Sequence, residues 1–140
     1  MGVEIKRVHG GADSFLRRTQ REALSTLWNF TVIWHEEAHD VLAERDGETI
    51  GAVRLVIAAS LARIAACVVL PTERRKGVGR RLLESAEEIA NYYNCHKMTV
   101  EMLHEGGAQR FLEACGYKLE AVLPQHTWKL DVAVMRKFLL

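Results

Sequence analysis

The 140-residue sequence has only three cysteines, Cys67, Cys95 and Cys115. Their number is odd and no two stand in a C-x-x-C pair, so neither a disulfide framework nor a metal site is expected. They read as reduced thiols of a cytoplasmic protein. Cys67 and Cys115 stand on apolar faces, as core residues do. Only two prolines occur, and no repeat, low-complexity tract or linker interrupts the chain. No run of eighteen apolar residues exists, so no transmembrane helix is expected. The start, Met1-Gly2-Val3-Glu4-Ile5-Lys6, lacks the apolar core of a signal peptide. Lys6 stands where a myristoylation signal wants Ser or Thr. An excess of either charge is missing too: the formal net charge is +1. A broad basic face for nucleic acid is therefore not expected.

What is present suits a single domain over residues 1–140: 49% hydrophobic and 26% charged residues. Val3 to Val8 alternates apolar and polar residues and reads as a first strand. Gly10-Gly11 breaks it. Asp13 or Ser14 is placed to cap a helix across Phe15 to Leu27. An aromatic-rich stretch from Trp28 to Glu37 reads as a second short helix or a loop. Val41 to Arg45 and Ile50 to Ala58 read as strands joined by an Asp46-Gly47 hairpin turn. Ala62 to Leu70 is almost wholly apolar, as a strand buried on both faces would be, and its only charge is Arg63. A helix reaches about Asn94, a strand spans Lys97 to Leu103, and a helix over Ala108 to Cys115 ends on Gly116. Strands at Tyr117 to Val122 and Asp131 to Phe138 follow, with Pro124 to Lys129 between them. The order β-α-α-β-β-β-α-β-α-β-β predicts an α/β (α+β) fold, a mixed sheet of about six to seven strands flanked by helices.

The segment Arg74-Arg75-Lys76-Gly77-Val78-Gly79-Arg80-Arg81 carries the most chemistry. It follows an apolar strand and Pro71. It leads into a helix whose apolar positions, Val78, Leu82, Leu83, Ala86, Ile89, Ala90 and Tyr93, share one face. A helix N-terminus has unpaired N–H groups and about half a positive charge, and ordinarily carries Asp or Glu. Five cations and two glycines here repel one another unless an anion sits on them. The alternative is a solvated basic turn. Glycine lets backbone approach an anion, so the segment reads as a cradle for phosphate or pyrophosphate. It is not a P-loop, since no Gly-Lys-Ser/Thr occurs. It is not a dinucleotide loop either, since Leu82 replaces the third glycine of G-x-G-x-x-G.

The pattern Arg74-x-x-Gly77-x-Gly79, followed by Arg80-Arg81-Leu82-Leu83, closely resembles the pyrophosphate loop of the GNAT N-acetyltransferase superfamily. Val69-Leu70-Pro71 before it, Ala108 to Tyr117 after it, and Asp131 to Lys137 near the end resemble that family's further elements. The resemblance covers roughly residues 41 to 139 in order. It implies acetyl-CoA as cofactor. Pyrophosphate would lie on the backbone of Arg75, Lys76, Gly77, Val78, Gly79 and Arg80, aided by Arg74. The pantetheine arm would run along Val68, Val69 and Leu70, where family members splay this strand from the next. The implied reaction is direct acyl transfer from the thioester to a primary amine of a small molecule or peptide. The Glu many members carry on the fourth strand is absent, and Leu112 stands at their helix Tyr.

An amine acceptor must lose a proton, so a base is required. His104 and Glu105 end a strand near the expected slot, and a histidine titrates near neutrality. A solvated turn histidine is the alternative. His35, Glu36 and Glu37 fall in the region that covers the acceptor in the family, where carboxylates suit a cation, with Glu36 a further catalytic candidate. A solvated helix face is the alternative there. Trp128 is a candidate pocket aromatic. A non-catalytic acyl-CoA-binding domain, acting as sensor or complex subunit, is the competing function. A nucleotide-phosphate binder of another fold is a third. Members often dimerise, and the apolar terminal strand ending Phe138-Leu139-Leu140 is a candidate to pair or pack with a partner in a homodimer.

Overall fold

A computed structural model describes residues 2–31 and 35–139. It comprises two compact units, Met1–His35 and Glu36–Leu140. In the first unit, helix α1 spans Asp13–Trp28 and is closed by Asn29 in the left-handed conformation (φ 57). The N-cap is Ala12, with no capping side-chain bond; Asp13 instead lies in the first turn, where its charge suits the helix dipole. Val3 to Val8 forms no strand. Alternation marks two faces, but a strand exists only where a neighbour takes up its backbone groups. Of the helix or loop expected from Trp28 to Glu37, no second helix is seen among the described residues: Trp28 closes α1 and stacks on Phe30, with ring centroids 6.1 Å apart. Val32, Ile33 and Trp34 of that stretch lie outside the described residues, as does Leu140.

The second unit holds strands β1 (Glu36–Arg45), β2 (Glu48–Ala58), β3 (Leu61–Val69), β4 (Lys97–Leu103), β5 (Lys118–Thr127) and β6 (Leu130–Phe138). Helices α2 (Val78–Tyr92) and α3 (Gly107–Ala114) complete it. The sheet order is β1-β2-β3-β4-β6-β5. Only β3 and β4 run parallel, as α2 crosses from one to the other; the remaining pairs are antiparallel. The result is the six-stranded mixed α+β sheet expected, without the N-terminal strand.

Turn chemistry explains the hairpins. Asp46-Gly47 adopts φ 52 and 81 between β1 and β2, as an Asp-Gly hairpin turn should. Trp128-Lys129 adopts φ 49 and 61 between β5 and β6. Most of the expected connection Pro124 to Lys129 is therefore strand. Pro124 is tolerated because β5 is a sheet edge and its register shifts between Leu123 and Thr127.

One sheet face packs on α2 and α3. Leu55, Val53, Ile64, Met98, Met135 and Tyr117 meet Leu82, Leu83, Ala86 and Ala90 of α2 and Leu112 of α3. Each large aliphatic side chain buried there contributes about 1.5–3 kcal/mol. β3 was expected to be buried on both faces, but Ala62 and Ile64 are buried while Arg63 and Ala65 are exposed. Its apolar run serves one core face and, past Ile64, an open edge.

Candidate functional site

The cradle is built by local backbone geometry. After β3, Pro71–Glu73 makes one 3₁₀ turn, and Arg75 takes a left-handed φ of 63. Gly77 caps α2 at φ 83, where any side chain would be strained. No side chain caps the helix, and the first intrahelical bond is from Arg81 N–H to the Gly77 carbonyl at 3.2 Å. The amides of Val78, Gly79 and Arg80 thus point out of the helix end without helical partners.

The cations divide by role. Arg74 donates from Nε to the Val69 carbonyl at 3.1 Å, pinning the loop to the end of β3. Arg80 donates to the Ala114 carbonyl at 3.2 Å, joining α2 to the last turn of α3. Lys76 lies 3.7 Å from Glu73. Arg75 has no side-chain hydrogen bond or ion pair among the described residues, so its charge is available to an anion.

These residues open onto a cleft of about 580 Å³. Its walls include Cys67 and Val69 of β3, Val78 and Gly79 of α2, and Ala108 and Phe111 of α3. Gly79 is needed for packing rather than for φ: an added Cβ would lie 3.2 Å from the tip of the Phe111 ring. Burial lifts the Cys67 thiol above its usual range, with the neighbouring Cys115 adding to the effect, so both remain protonated packing groups at neutral pH.

Beside the cleft the sheet comes apart. β3 pairs with β4 only from Leu61↔Lys97 to Ile64↔Val100. Beyond that, β3 stays with β2 as far as Val69↔Gly51, and β4 stays with β6 as far as Leu103↔Val132. A gap opens between them. The edge of Val68, Val69 and Leu70 borders it, with Val68 and Leu70 exposed.

The Acetyltransferase (GNAT) family model matches residues 12–117. The chain belongs to the GNAT acetyltransferase family. Members of this family use acetyl-CoA, and the uncapped amides with Arg75 at the mouth of a deep cleft fit its phosphates and arm. No curated protein matches by sequence. Among solved structures, an acetyltransferase from Bacillus cereus matches at TM-score 0.72 and 17% identity, over 95% of this chain and 97% of its own. An aminoglycoside 6'-N-acetyltransferase complexed with coenzyme A matches at 0.68 and 18%, over 91% and 88%. The ribosomal-protein-S18-alanine N-acetyltransferase from Escherichia coli matches at 0.66 and 18%, over 73% and 69%. At such identities the likeness is one of fold.

In this GNAT member the other sequence candidates separate. His104 and Glu105 follow β4, at the cradle end of the sheet, and the His104 amide donates to the Asp131 carbonyl at 3.1 Å. Trp128 tops the adjoining β5–β6 hairpin, 90% exposed. Glu36 and Glu37 are not in a loop over this end. They open β1, where Glu36 pairs with Ala58 and Ala58 with Leu61. That row lies at the opposite end of the sheet, roughly 25 Å from Val69 at 3.3 Å per residue. His35 belongs to the first unit.

Sequence reasoning missed Gln109, 8% exposed on α3. Its Oε1 accepts the Glu105 backbone N–H at 2.7 Å, which identifies that atom as the oxygen. His104 Nδ1 lies 3.2 Å from the same oxygen and must therefore be a donor. In the neutral ring the free lone pair is then on Nε2, 3.7 Å from the Glu105 carboxylate. Arg45 and Phe111 were also missed. Arg45 reaches the cradle from 28 residues away, and no local pattern announces such a contact.

None of the helices among the described residues is long and apolar enough to cross a membrane.

Proposed function

We propose that this protein is an acetyl-CoA-dependent N-acetyltransferase that moves the acetyl group directly to a primary amine of a small molecule or peptide. One observation carries the reading: the uncapped end of α2 and the free end of β3, past its last pair with β4, line the same cleft. The amides of residues 75 to 80 and the Arg75 side chain take the pyrophosphate. Val68, Val69 and Leu70 offer backbone to the pantetheine arm, and Phe111 and Ala108 exclude water along it. Bound acetyl-CoA supplies an acetyl thioester as the electrophile. His104, its tautomer set by Gln109, presents Nε2 as the proton acceptor for the amine. Glu105 steadies the resulting imidazolium, and Trp128 flanks the acceptor.

The family match spans both compact units, which supports one acetyltransferase domain across residues 1–140. Three free thiols suit a reducing, cytoplasmic setting. The test is thermal unfolding with acetyl-CoA, CoA, ATP or NAD, paired with thiol release on adding amines. A ligand at a hundredfold its Kd stabilises by about 2.7 kcal/mol. Stabilisation by the CoA species only, weakened in Arg75→Glu, is expected. A preference for ATP or NAD would overturn the reading.

A further inference from the structure

The gap between β3 and β4 opens on both faces of the sheet, and the cleft occupies one of them. On that face Cys67 and Val69 form its wall, and Ile64, Val100 and Met102 pack with the core. Alternation turns Arg63 and Ala66 of β3, and Thr99 and Glu101 of β4, to the second face. Glu101 is the first β4 residue past the last β3–β4 pair, Ile64↔Val100. Arg63 pairs with Thr99, one step before it. The strand across from Glu101 carries only Ala65, which the register shift leaves without a β2 partner, and Ala66.

Charges nearer the middle of this face are matched within the protein, while Glu36 and Lys118 stand on the two edge strands, away from the gap, without a partner among the described residues. Arg54 donates to both oxygens of Asp40 at 2.7 and 2.8 Å. Lys97 lies 2.5 Å and Arg136 3.8 Å from the Glu120 carboxylate. The side chains of Arg63 and Glu101 are exposed and have no hydrogen bond or ion pair among the described residues. Their backbones stand on neighbouring parallel strands two residues apart in register, roughly 8 Å at about 4.8 Å between strands and 3.3 Å per residue. Two opposite, unspent charges at that spacing, at the mouth of a gap, make a receptor for a molecule that carries both signs a few bonds apart.

We propose that the acceptor binds on this second face and is a free amino acid, its ammonium held by Glu101 and its carboxylate by Arg63. The proposal rests on the transferase reading above and names its substrate class. A guanidinium meets a carboxylate through two parallel charge-assisted hydrogen bonds, so Arg63 sets specificity. Glu101 holds the amine nitrogen at the gap, three residues before His104 in the chain. A polyamine would set its second ammonium against Arg63 and is disfavoured.

The experiment is calorimetric titration of the CoA-saturated protein with matched pairs: L-alanine against ethylamine, and L-phenylalanine against phenethylamine. Wild type, Arg63→Gln and Glu101→Gln are compared, each first titrated with CoA alone. We expect at least one amino acid to bind about tenfold or more tightly than its amine in wild type. Arg63→Gln should erase that ratio, Glu101→Gln should weaken both members of the pair, and CoA affinity should be unchanged in both variants. Equal binding of acid and amine, a ratio that survives Arg63→Gln, or no amino acid bound while CoA binds would each overturn the proposal and leave the cofactor reading standing. Failure of CoA itself to bind would overturn both.

Discussion

Arg45 at the end of β1 donates from Nε and Nη2 to one oxygen of Glu73, at 3.2 and 3.0 Å. Glu73 is the one carboxylate among the residues lining the cleft, and its side chain is only 13% exposed. The hydrogen bond from Arg45, and then the charges of Arg45 and Lys76, hold its carboxyl below the usual range. The negative charge that the cradle contains is thereby matched, and the cleft can receive an anion. Arg45→Ala should weaken CoA binding about three- to tenfold, the scale of a partly exposed charge. Glu73→Gln on that background should restore it. A single variant with unchanged CoA affinity in calorimetry would sink the idea. Because the folded-state value is lowered, the stabilisation exists above the ordinary carboxylate range and is lost as pH falls through it. The difference in melting temperature between wild type and Glu73→Gln should shrink on acidification.

Gly79→Ala sets two effects against each other. Replacing glycine in a helix gains about 1 kcal/mol, and crowding costs about 1–3 kcal/mol. The crowded atom is the tip of Phe111, a ring that is partly exposed and can swing. Stability should therefore change by less than about 1 kcal/mol, while CoA affinity falls because a wall of the cleft has moved. Denaturant unfolding and CoA titration read the two separately. A loss of stability without a loss of affinity would assign Gly79 to packing alone.

Gln109→Leu removes the acceptor shared by His104 Nδ1–H and the Glu105 N–H. Leaving such donors unmatched costs about 1–3 kcal/mol. The His104 ring should also lose its fixed tautomer, visible as a change in its ¹⁵N ring shifts. Gln109→Glu keeps an acceptor and should retain the Nδ1–H form. Identical ring shifts in wild type and the leucine variant would show that Gln109 does not orient His104.

Tyr117 is 2% exposed, and its hydroxyl donates to Met98 Sδ at 3.7 Å. Burial, reinforced by Glu87 and the thiols of Cys115 and Cys67, raises its ionisation far above the ordinary tyrosine value. The folded state therefore keeps its proton where the unfolded chain loses it. Stability from this group is complete below the ordinary value and declines as pH rises past it. Tyr117→Phe should shift neutral stability by less than about 1 kcal/mol, since the sulfur is a weak acceptor. It should move the alkaline unfolding midpoint upward. An unmoved midpoint would assign alkaline unfolding to other groups.

The cradle was legible because it is local. Strand, Pro71, the two glycines and the amphipathic stripe of α2 lie within one short segment, and backbone geometry there follows from neighbouring residues. The strands from β1 to β6 were legible for the same reason, with the Asp46-Gly47 turn marking one junction. Val3 to Val8 misled because alternation is necessary for a strand but does not supply its partner. Pro124 misled because proline bars a central strand but not an edge with a shifted register. Glu36 and Glu37 were drawn toward the acceptor by position in sequence, and the register of β1 against β2 places them at the other end.

The sequence by itself determined the fold class, the cationic turn that opens α2 and the family, because periodicity, turn residues and helix-end charge act over a few residues. The tertiary structure alone decided which charges are spent. It joined Arg45 to Glu73 and His104 to Gln109, and it set Phe111 against Gly79. It ended the β3–β4 ladder at Ile64↔Val100, leaving Arg63 and Glu101 on either side of the opening. These are contacts between elements distant along the chain. They depend on strand order and register, which no single segment encodes.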